Sequence, residues 1–143
     1  MSQEIRQVVY VSDATFGLSD DNIRSILDSS RRNNAADNVT GMLIYSGGVF
    51  IQVLEGAPRV VDKLLATITD DTRHKDVQVF SDRMVGSRTF AAWAMAFIES
   101  SPADLATRFG VDGTLNRTEL LALLSDDDDQ ITRFLLGFAR AVG

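Results

Sequence analysis

Apolar and polar positions along the chain divide it into short segments of two different periods. From Ile5 to Val11, Val8 and Tyr10 fall on one side of an extended segment and Ile5, Gln7, Val9 and Val11 on the other, which predicts a strand. Ser19-Asp20-Asp21 is a helix-start signal. Ile23, Ile26, Leu27 and Ser30 then recur at the three-and-four spacing of a helix that lays one stripe on a sheet, and Arg31 to Asn38 ends it. Two β-rich runs, Val39 to Tyr45 and Val49 to Leu54, flank Ser46-Gly47-Gly48, whose glycine pair suits a tight antiparallel hairpin. Gly56-Ala57-Pro58 punctuates the chain, and Pro58 suits the first turn of a second helix that carries Val61, Leu64, Leu65 and Ile68 inward. Val77 to Phe80 and Thr89 to Ile98 predict two further strands, with Arg83 to Ser87 as a turn or irregular link.

The order β-α-β-β-α-β-β predicts an α+β, ferredoxin-like βαββαββ arrangement: an antiparallel-rich sheet with two helices on one face and a slot between them. Residues 101–143 predict two C-terminal cap helices, one around Asn116 to Leu124 and one from the Ser125 cap. In the latter, Ile131, Phe134, Leu135, Phe138 and Val142 form a stripe suited to the free face of the sheet. The expected organisation is residues 1–100 as the main body and 101–143 as a helical cap or output extension of the same domain. No internal repeat or low-complexity stretch interrupts it.

Composition narrows the chemistry. With 143 residues, 45% hydrophobic and 24% charged, the chain reads as one soluble globular domain. It has no cysteine and one histidine, His74, so disulfides, thiolate nucleophiles and Cys-ligated metals are excluded and a multi-His metal site is disfavoured. A hydrolase built on His74 lacks a recognisable nucleophile and carboxylate, so neither a metal site nor an enzyme activity is expected. Fourteen Lys and Arg against twenty Asp and Glu give a net charge of -6, which leaves no general basic surface for nucleic acid. The longest apolar run, Phe90 to Ile98, falls far short of the roughly 20 residues that span a bilayer. The N-terminus has no secretory signal pattern, so the expected location is the cytoplasm, with no membrane partner. The acidic run Asp126 to Asp129 reads as a charged first helical turn, because it lacks the glycine and distal glutamate of a calcium loop.

Few residues remain as candidates for chemistry. Gln52, flanked by Ile51 and Val53 and sharing a face with Phe50 and Leu54, is either a carboxamide satisfied by backbone or water, or a switch whose donor and acceptor ends exchange on rotation. Tyr10 is either a packed strand aromatic or, if it faces the slot, a buried phenol and one-electron donor. Asn33-Asn34 either close a helix or read the polar edge of a planar ring. Trp93 and Met95 alternate on one face of the last predicted strand, where core packing is the ordinary explanation. Asp71-Thr72-Arg73-His74 is either a solvated helix end or a contact for a cofactor's phosphate and sugar-like tail. No G-x-G-x-x-G or Walker pattern occurs.

In order along the chain, Val9-Tyr10-Val11-Ser12, Ser29-Ser30-Arg31-Arg32-Asn33-Asn34, Val39-Thr40-Gly41-Met42-Leu43, Phe50-Ile51-Gln52-Val53-Leu54-Glu55-Gly56, Asp71-Thr72-Arg73-His74 and Arg88-Thr89-Phe90-Ala91-Ala92-Trp93-Ala94-Met95 strongly resemble the BLUF family, the sensors of blue light using FAD. The resemblance covers about residues 5–100 and points to the short, stand-alone type. It implies a noncovalently bound FAD whose ring sits between the two helices, with Ile26 and Ile68 as apolar walls. It makes Tyr10 and Gln52 the photoactive pair, has Asn34 bond the O4 and N3 edge of the ring, and sets Asn33 and Ser30 as neighbouring contacts. Arg73 and His74 would lie nearer the flavin's tail. Thr67 stands where some members carry a basic residue, so FMN or riboflavin would be tolerated.

The mechanism implied is electron and proton donation from Tyr10 through Gln52, followed by recombination that leaves Gln52 rotated or tautomerised and the absorption shifted to the red. Trp93 and Met95 are then the expected signal relay. The expected partners, besides the flavin, are an unidentified downstream protein or a second copy in a homo-oligomer. The competing reading is a light-independent ferredoxin-like binding module in which Tyr10 and Gln52 are packed sheet residues.

Overall fold

The computed structural model describes residues 4–14, 19–72, 74–91, 95–99 and 103–104. Strand β1 (Ile5–Ala14) is followed by helix α1 (Asp20–Asp37), the hairpin β2 (Thr40–Ser46) and β3 (Val49–Gly56), helix α2 (Pro58–Asp70), and strands β4 (His74–Val85) and β5 (Ala96–Glu99). The sheet order is β4-β1-β3-β2-β5. β1 pairs antiparallel with both β3 and β4, β2 pairs antiparallel with β3, and β5 alone runs parallel to its neighbour β2. This is the split βαβ plan expected from the element order: β1 and β2 share a direction and β3 is inserted between them.

Local chemistry explains the boundaries. Ser19 caps α1, its Oγ accepting from the Asn22 N–H at 3.2 Å while Asn22 Oδ1 accepts from the Ser19 N–H at 3.0 Å. Asn38 ends the helix in the left-handed region at φ 56°. The hairpin turns on Gly47 and Gly48, both at positive φ. Gly41 has a different reason: a Cβ there would stand 1.9 Å from the Val53 carbonyl oxygen on the adjacent strand. Pro58 occupies the first turn of α2, where its missing N–H removes no helical bond.

Val8, Val9, Tyr10, Val11 and Ser12 are all buried, so the central strand is covered on both faces. On the helix side the core unites Tyr10, Leu27, Leu43, Phe50, Leu54 and Met95, with Ile26, Leu64, Leu65 and Ile68 packed against it. At the far edge of α2, Arg6 joins three elements. Its guanidinium donates to both Asp82 carboxylate oxygens, at 2.9 and 2.8 Å, and to Asp62. No helix among the described residues is long and apolar enough to cross a membrane.

The last third differs from the sequence pattern. β4 is longer than Val77 to Phe80 and absorbs Arg83 to Val85, which the pattern assigns to a link. The strand expected over Thr89 to Ile98 shrinks to Ala96–Glu99, because the N–H groups of Thr89 and Phe90 are taken by the buried Glu55 carboxylate instead of a neighbouring strand. Met95 therefore lies just before the final strand, not within it. Trp93 and the two expected cap helices lie outside the described residues.

Candidate functional site

Adjacent central strands place the two most unusual polar side chains opposite each other. Tyr10 of β1 and Gln52 of β3 are cross-strand partners in register, 2% and 5% exposed. The Tyr10 hydroxyl donates to Gln52 Oε1. The other end of the carboxamide, Gln52 Nε2, lies 3.5 Å from Met95 Sδ, a weak acceptor. Gln52 thus sits between a phenol and a thioether, with its acceptor and donor ends distinguished by its neighbours.

Burial pushes the Tyr10 phenol far above its ordinary pKa, and the nearby Asp71 charge adds to the shift. Desolvation disfavours a phenolate, and a negative neighbour disfavours it further. Tyr10 is consequently a neutral hydrogen-bond donor across the physiological range. The same Asp71 carboxylate favours any state in which the phenol carries positive charge.

This pair opens into a cleft of about 650 Å³, its open mouth included, between α1 and α2. One wall comes from α1, where Ile26, Ser29, Ser30, Asn33 and Asn34 follow the i, i+3, i+4, i+7 pattern of a single helical face. The other comes from α2 through Leu64, Thr67 and Ile68, continued by Asp71 one turn beyond. Leu43 and Phe50 of the hairpin complete the floor beside Tyr10 and Gln52. Asn34 is 2% exposed while Asn33 lies on the exposed side, so the two adjacent carboxamides occupy different depths.

The donor set fits a flavin. Ile26, Leu64 and Ile68 offer apolar surface for the faces of a planar ring, and Asn34 and Gln52 each present both a donor and an acceptor for its polar edge. No group of three or more His, Asp or Glu suited to a metal ion occurs among the described residues.

Of the residues singled out from sequence, Tyr10, Gln52, Ser30, Asn33, Asn34, Ile26 and Ile68 all line this cleft. Met95 joins the pair through Gln52. His74 begins β4, where its backbone pairs with Ala14. Arg73 and Trp93 lie outside the described residues. Sequence reasoning missed Ser29, Leu43, Phe50 and Leu64 as lining residues, and it did not separate Asp71 from the rest of its segment. The spacing Leu64, Ile68, Asp71 is the signal that finds the α2 wall, since these positions form one stripe.

Known proteins share the sequence pattern and the fold of this chain. The family model described as BLUF, sensors of blue-light using FAD, matches residues 5–96. The photoactivated adenylate cyclase subunit beta of Euglena longa is 33% identical over 89 residues, which are 62% of this chain and 10% of that protein. Subunit alpha of the Euglena gracilis cyclase is 39% identical over 70 residues, 49% of this chain and 7% of that protein. The chain therefore spans about a tenth or less of these curated relatives. Among solved structures, the dark state of BlrB, a BLUF protein, is 26% identical with a TM-score of 0.75, covering 96% of this chain and 98% of that one. A bacterial light-regulated adenylyl cyclase is 31% identical with a TM-score of 0.66, covering 96% of this chain and 38% of that one.

Proposed function

The chain belongs to the BLUF family of blue-light sensors that use FAD, and from that premise we propose that Tyr10 and Gln52 form its light-driven switch, with Met95 as the first element of the output. The observation that carries this reading is the buried Tyr10 to Gln52 hydrogen bond at the floor of a cleft suited to a planar ring. A bound flavin supplies absorption of blue light and, once excited, a strong oxidant. Tyr10 gives up an electron and, through Gln52 Oε1, its phenolic proton; both return, so nothing is consumed and only the hydrogen bonding of Gln52 differs. Rotation or tautomerisation of Gln52 exchanges the groups it turns toward Tyr10, toward Met95 and into the cleft.

Asn34 holds the polar edge of the ring, Ser30 and Asn33 support it nearer the mouth, and Ile26 and Ile68 exclude water from its faces. One altered hydrogen bond contributes about 0.5 to 1.5 kcal/mol net, enough to bias a balanced equilibrium roughly tenfold and far too little to unfold the domain. The output is therefore a change in association, with a separate protein or with a second copy of the chain. Adenylate cyclase activity is a property of the larger relatives and is not part of this reading.

The test is an absorption spectrum of the purified protein, dark and then under blue light. A flavin spectrum that shifts reversibly to the red supports the reading. A protein that neither contains flavin nor takes up FAD on reconstitution overturns it, as does a flavin-loaded protein whose spectrum is identical in dark and light.

A further inference from the structure

Three residues beyond Gln52 on the same strand, and on the opposite face of the sheet, Glu55 is completely buried. Its carboxylate is fully occupied. Oε2 accepts from Gln7 Nε2 at 2.8 Å and from the Thr89 N–H at 2.8 Å. Oε1 accepts from the Phe90 N–H at 2.7 Å and from Thr40 Oγ1 at 3.3 Å. The Arg88 guanidinium adds three bonds of its own, to the carbonyls of Glu55 and Asn38 and to Thr40 Oγ1. Gln7 is in turn fixed by Arg83 Nε at 3.0 Å. A buried carboxylate that receives two consecutive backbone N–H groups is a strong, directional clamp.

What it clamps is the start of the connection between β4 and β5. Phe90, wholly buried, anchors the same segment. Five residues later that connection delivers Met95, whose Sδ meets Gln52 Nε2 and whose carbonyl accepts from Arg31 Nε of α1 at 3.1 Å. The strand that carries the proposed switch on one face thus carries, on the other, the anchor of the segment that reads it.

We propose that Glu55 is a positioning residue for signal output: its clamp on Thr89 and Phe90 fixes the length of chain available to Met95 and so holds Met95 on Gln52 in the dark. It touches neither the flavin cleft nor Gln52 and acts through the chain from Phe90 to Met95. When Gln52 rearranges, the clamped end stays in place and the displacement is passed toward β5. The output part of this inference rests on the Tyr10 and Gln52 reading; the placement of Met95 does not.

The experiment uses the flavin-loaded full chain labelled with 13C-methyl methionine, in which four methionines give four signals and Met95→Leu assigns one of them. Glu55→Gln keeps the side-chain shape but turns an amide donor toward the N–H pair. It is expected to leave the dark flavin spectrum unchanged, to split or broaden the Met95 methyl signal in the dark, and to speed dark recovery about threefold or more, the effect of one weakened hydrogen bond on a barrier. Arg88→Met, which releases the same connection by other bonds, is expected to act in the same direction and keeps the test open if Glu55→Gln fails to fold. Asp82→Asn, which loosens the remote Arg6 bridge, should leave both readouts at wild-type values. Wild-type recovery and a single sharp Met95 signal in both clamp variants overturn the proposal. Because the methyl signal is read in the dark, a wild-type protein with no photoshift sinks the switch reading while still testing the clamp.

Discussion

The Tyr10 hydroxyl donates to the side-chain oxygen of Gln52 across the β1 to β3 ladder, in a part of the sheet where each residue is at least 95% buried. Each partner is thereby satisfied by the other. Tyr10→Phe removes the donor that Gln52 Oε1 accepts from inside the sheet, which costs about 1 to 3 kcal/mol for a buried acceptor. Tyr10→Phe is expected to destabilise the domain by that amount, and both Tyr10→Phe and Gln52→Leu to retain flavin because the apolar walls are untouched and to lose the normal red shift. Denaturant unfolding measures the first effect and dark and illuminated absorption spectra the others. An intact photocycle in either variant removes that residue from its assigned role.

The raised pKa of Tyr10 makes a prediction with a definite sign. Folding holds the phenol protonated to a higher pH than the unfolded chain does, so at alkaline pH the folded state binds more protons. The stabilisation is complete below the ordinary tyrosine value of about 10 and is lost as pH rises above it toward the elevated folded value. Wild-type stability should therefore fall along the alkaline limb from about pH 10 upward. In Tyr10→Phe that limb should be shallower, which urea midpoints between roughly pH 8 and 11 will show. Equal slopes in the two proteins would mean that the phenol ionises normally in the folded state.

Asp82 provides the acidic counterpart. Its hydrogen bond to Arg6 holds its carboxyl below the ordinary carboxylate range. The contribution is present above the unfolded value near 4 and is lost as pH falls through the depressed folded one. With 43% of the Asp82 side chain exposed, screening limits it to roughly 0.5 kcal/mol, so Asp82→Asn should change stability at neutral pH by no more than that and flatten the acid limb slightly. A loss of several kcal/mol would show that the Arg6 bridge is far less solvated than its exposure indicates.

The α+β plan was legible because it rests on periodicities that local chemistry enforces, whereas Tyr10, Ile26, Ser30, Asn33, Asn34, Gln52 and Ile68 were marked as site residues by the resemblance to the BLUF family. The β-rich run from Ile5 to Val11, the Ser19 cap, the glycine pair at the hairpin and Pro58 each act within a few residues. The spacing of Ile23, Ile26, Leu27 and Ser30 marked one face of α1, and two of these, Ile26 and Ser30, line the cleft. What sequence did not show depends on a distant partner. Glu55 reaches 34 and 35 residues ahead to hold Thr89 and Phe90, and this converts an apparently continuous β run into bends before β5. Asp71 enters the cleft only because α2 ends beside Tyr10. Periodicity carries no information about either meeting.

Gly41 tests how closely the hairpin must approach. A methyl group at that position meets the Val53 carbonyl oxygen at 1.9 Å, and the obstacle is backbone of the strand that carries Gln52 rather than the end of a flexible side chain. Gly41→Ala should cost about 3 kcal/mol or more and, where the protein still folds, should alter the dark flavin spectrum by moving β2 away from β3. Thermal unfolding and the dark absorption maximum report the two effects. A variant with wild-type stability and spectrum would show that β2 and β3 have room to separate without disturbing Gln52.

The cleft also predicts how the chain discriminates among flavins. Its lining among the described residues holds the ring region through apolar walls and carboxamides, while the α2 side offers Thr67, exposed and bonded to the Lys63 carbonyl, and the acidic Asp71. Neither attracts a phosphate, and Asp71 repels one. FAD, FMN and riboflavin should accordingly bind within about tenfold of one another, since their shared ring makes the contacts that count. Thr67→Arg places a guanidinium at the mouth of the cleft, where a partly exposed ion pair contributes up to about 1 kcal/mol, so FMN and FAD should gain about fivefold over riboflavin. The gain should shrink as salt is raised, because the pair is open to solvent. Fluorescence-quenching titrations of the three flavins, at low and high salt, measure both effects. A wild-type preference of a hundredfold or more for FAD would place a strong phosphate contact elsewhere in the chain and refute the assignment of selectivity to the ring region.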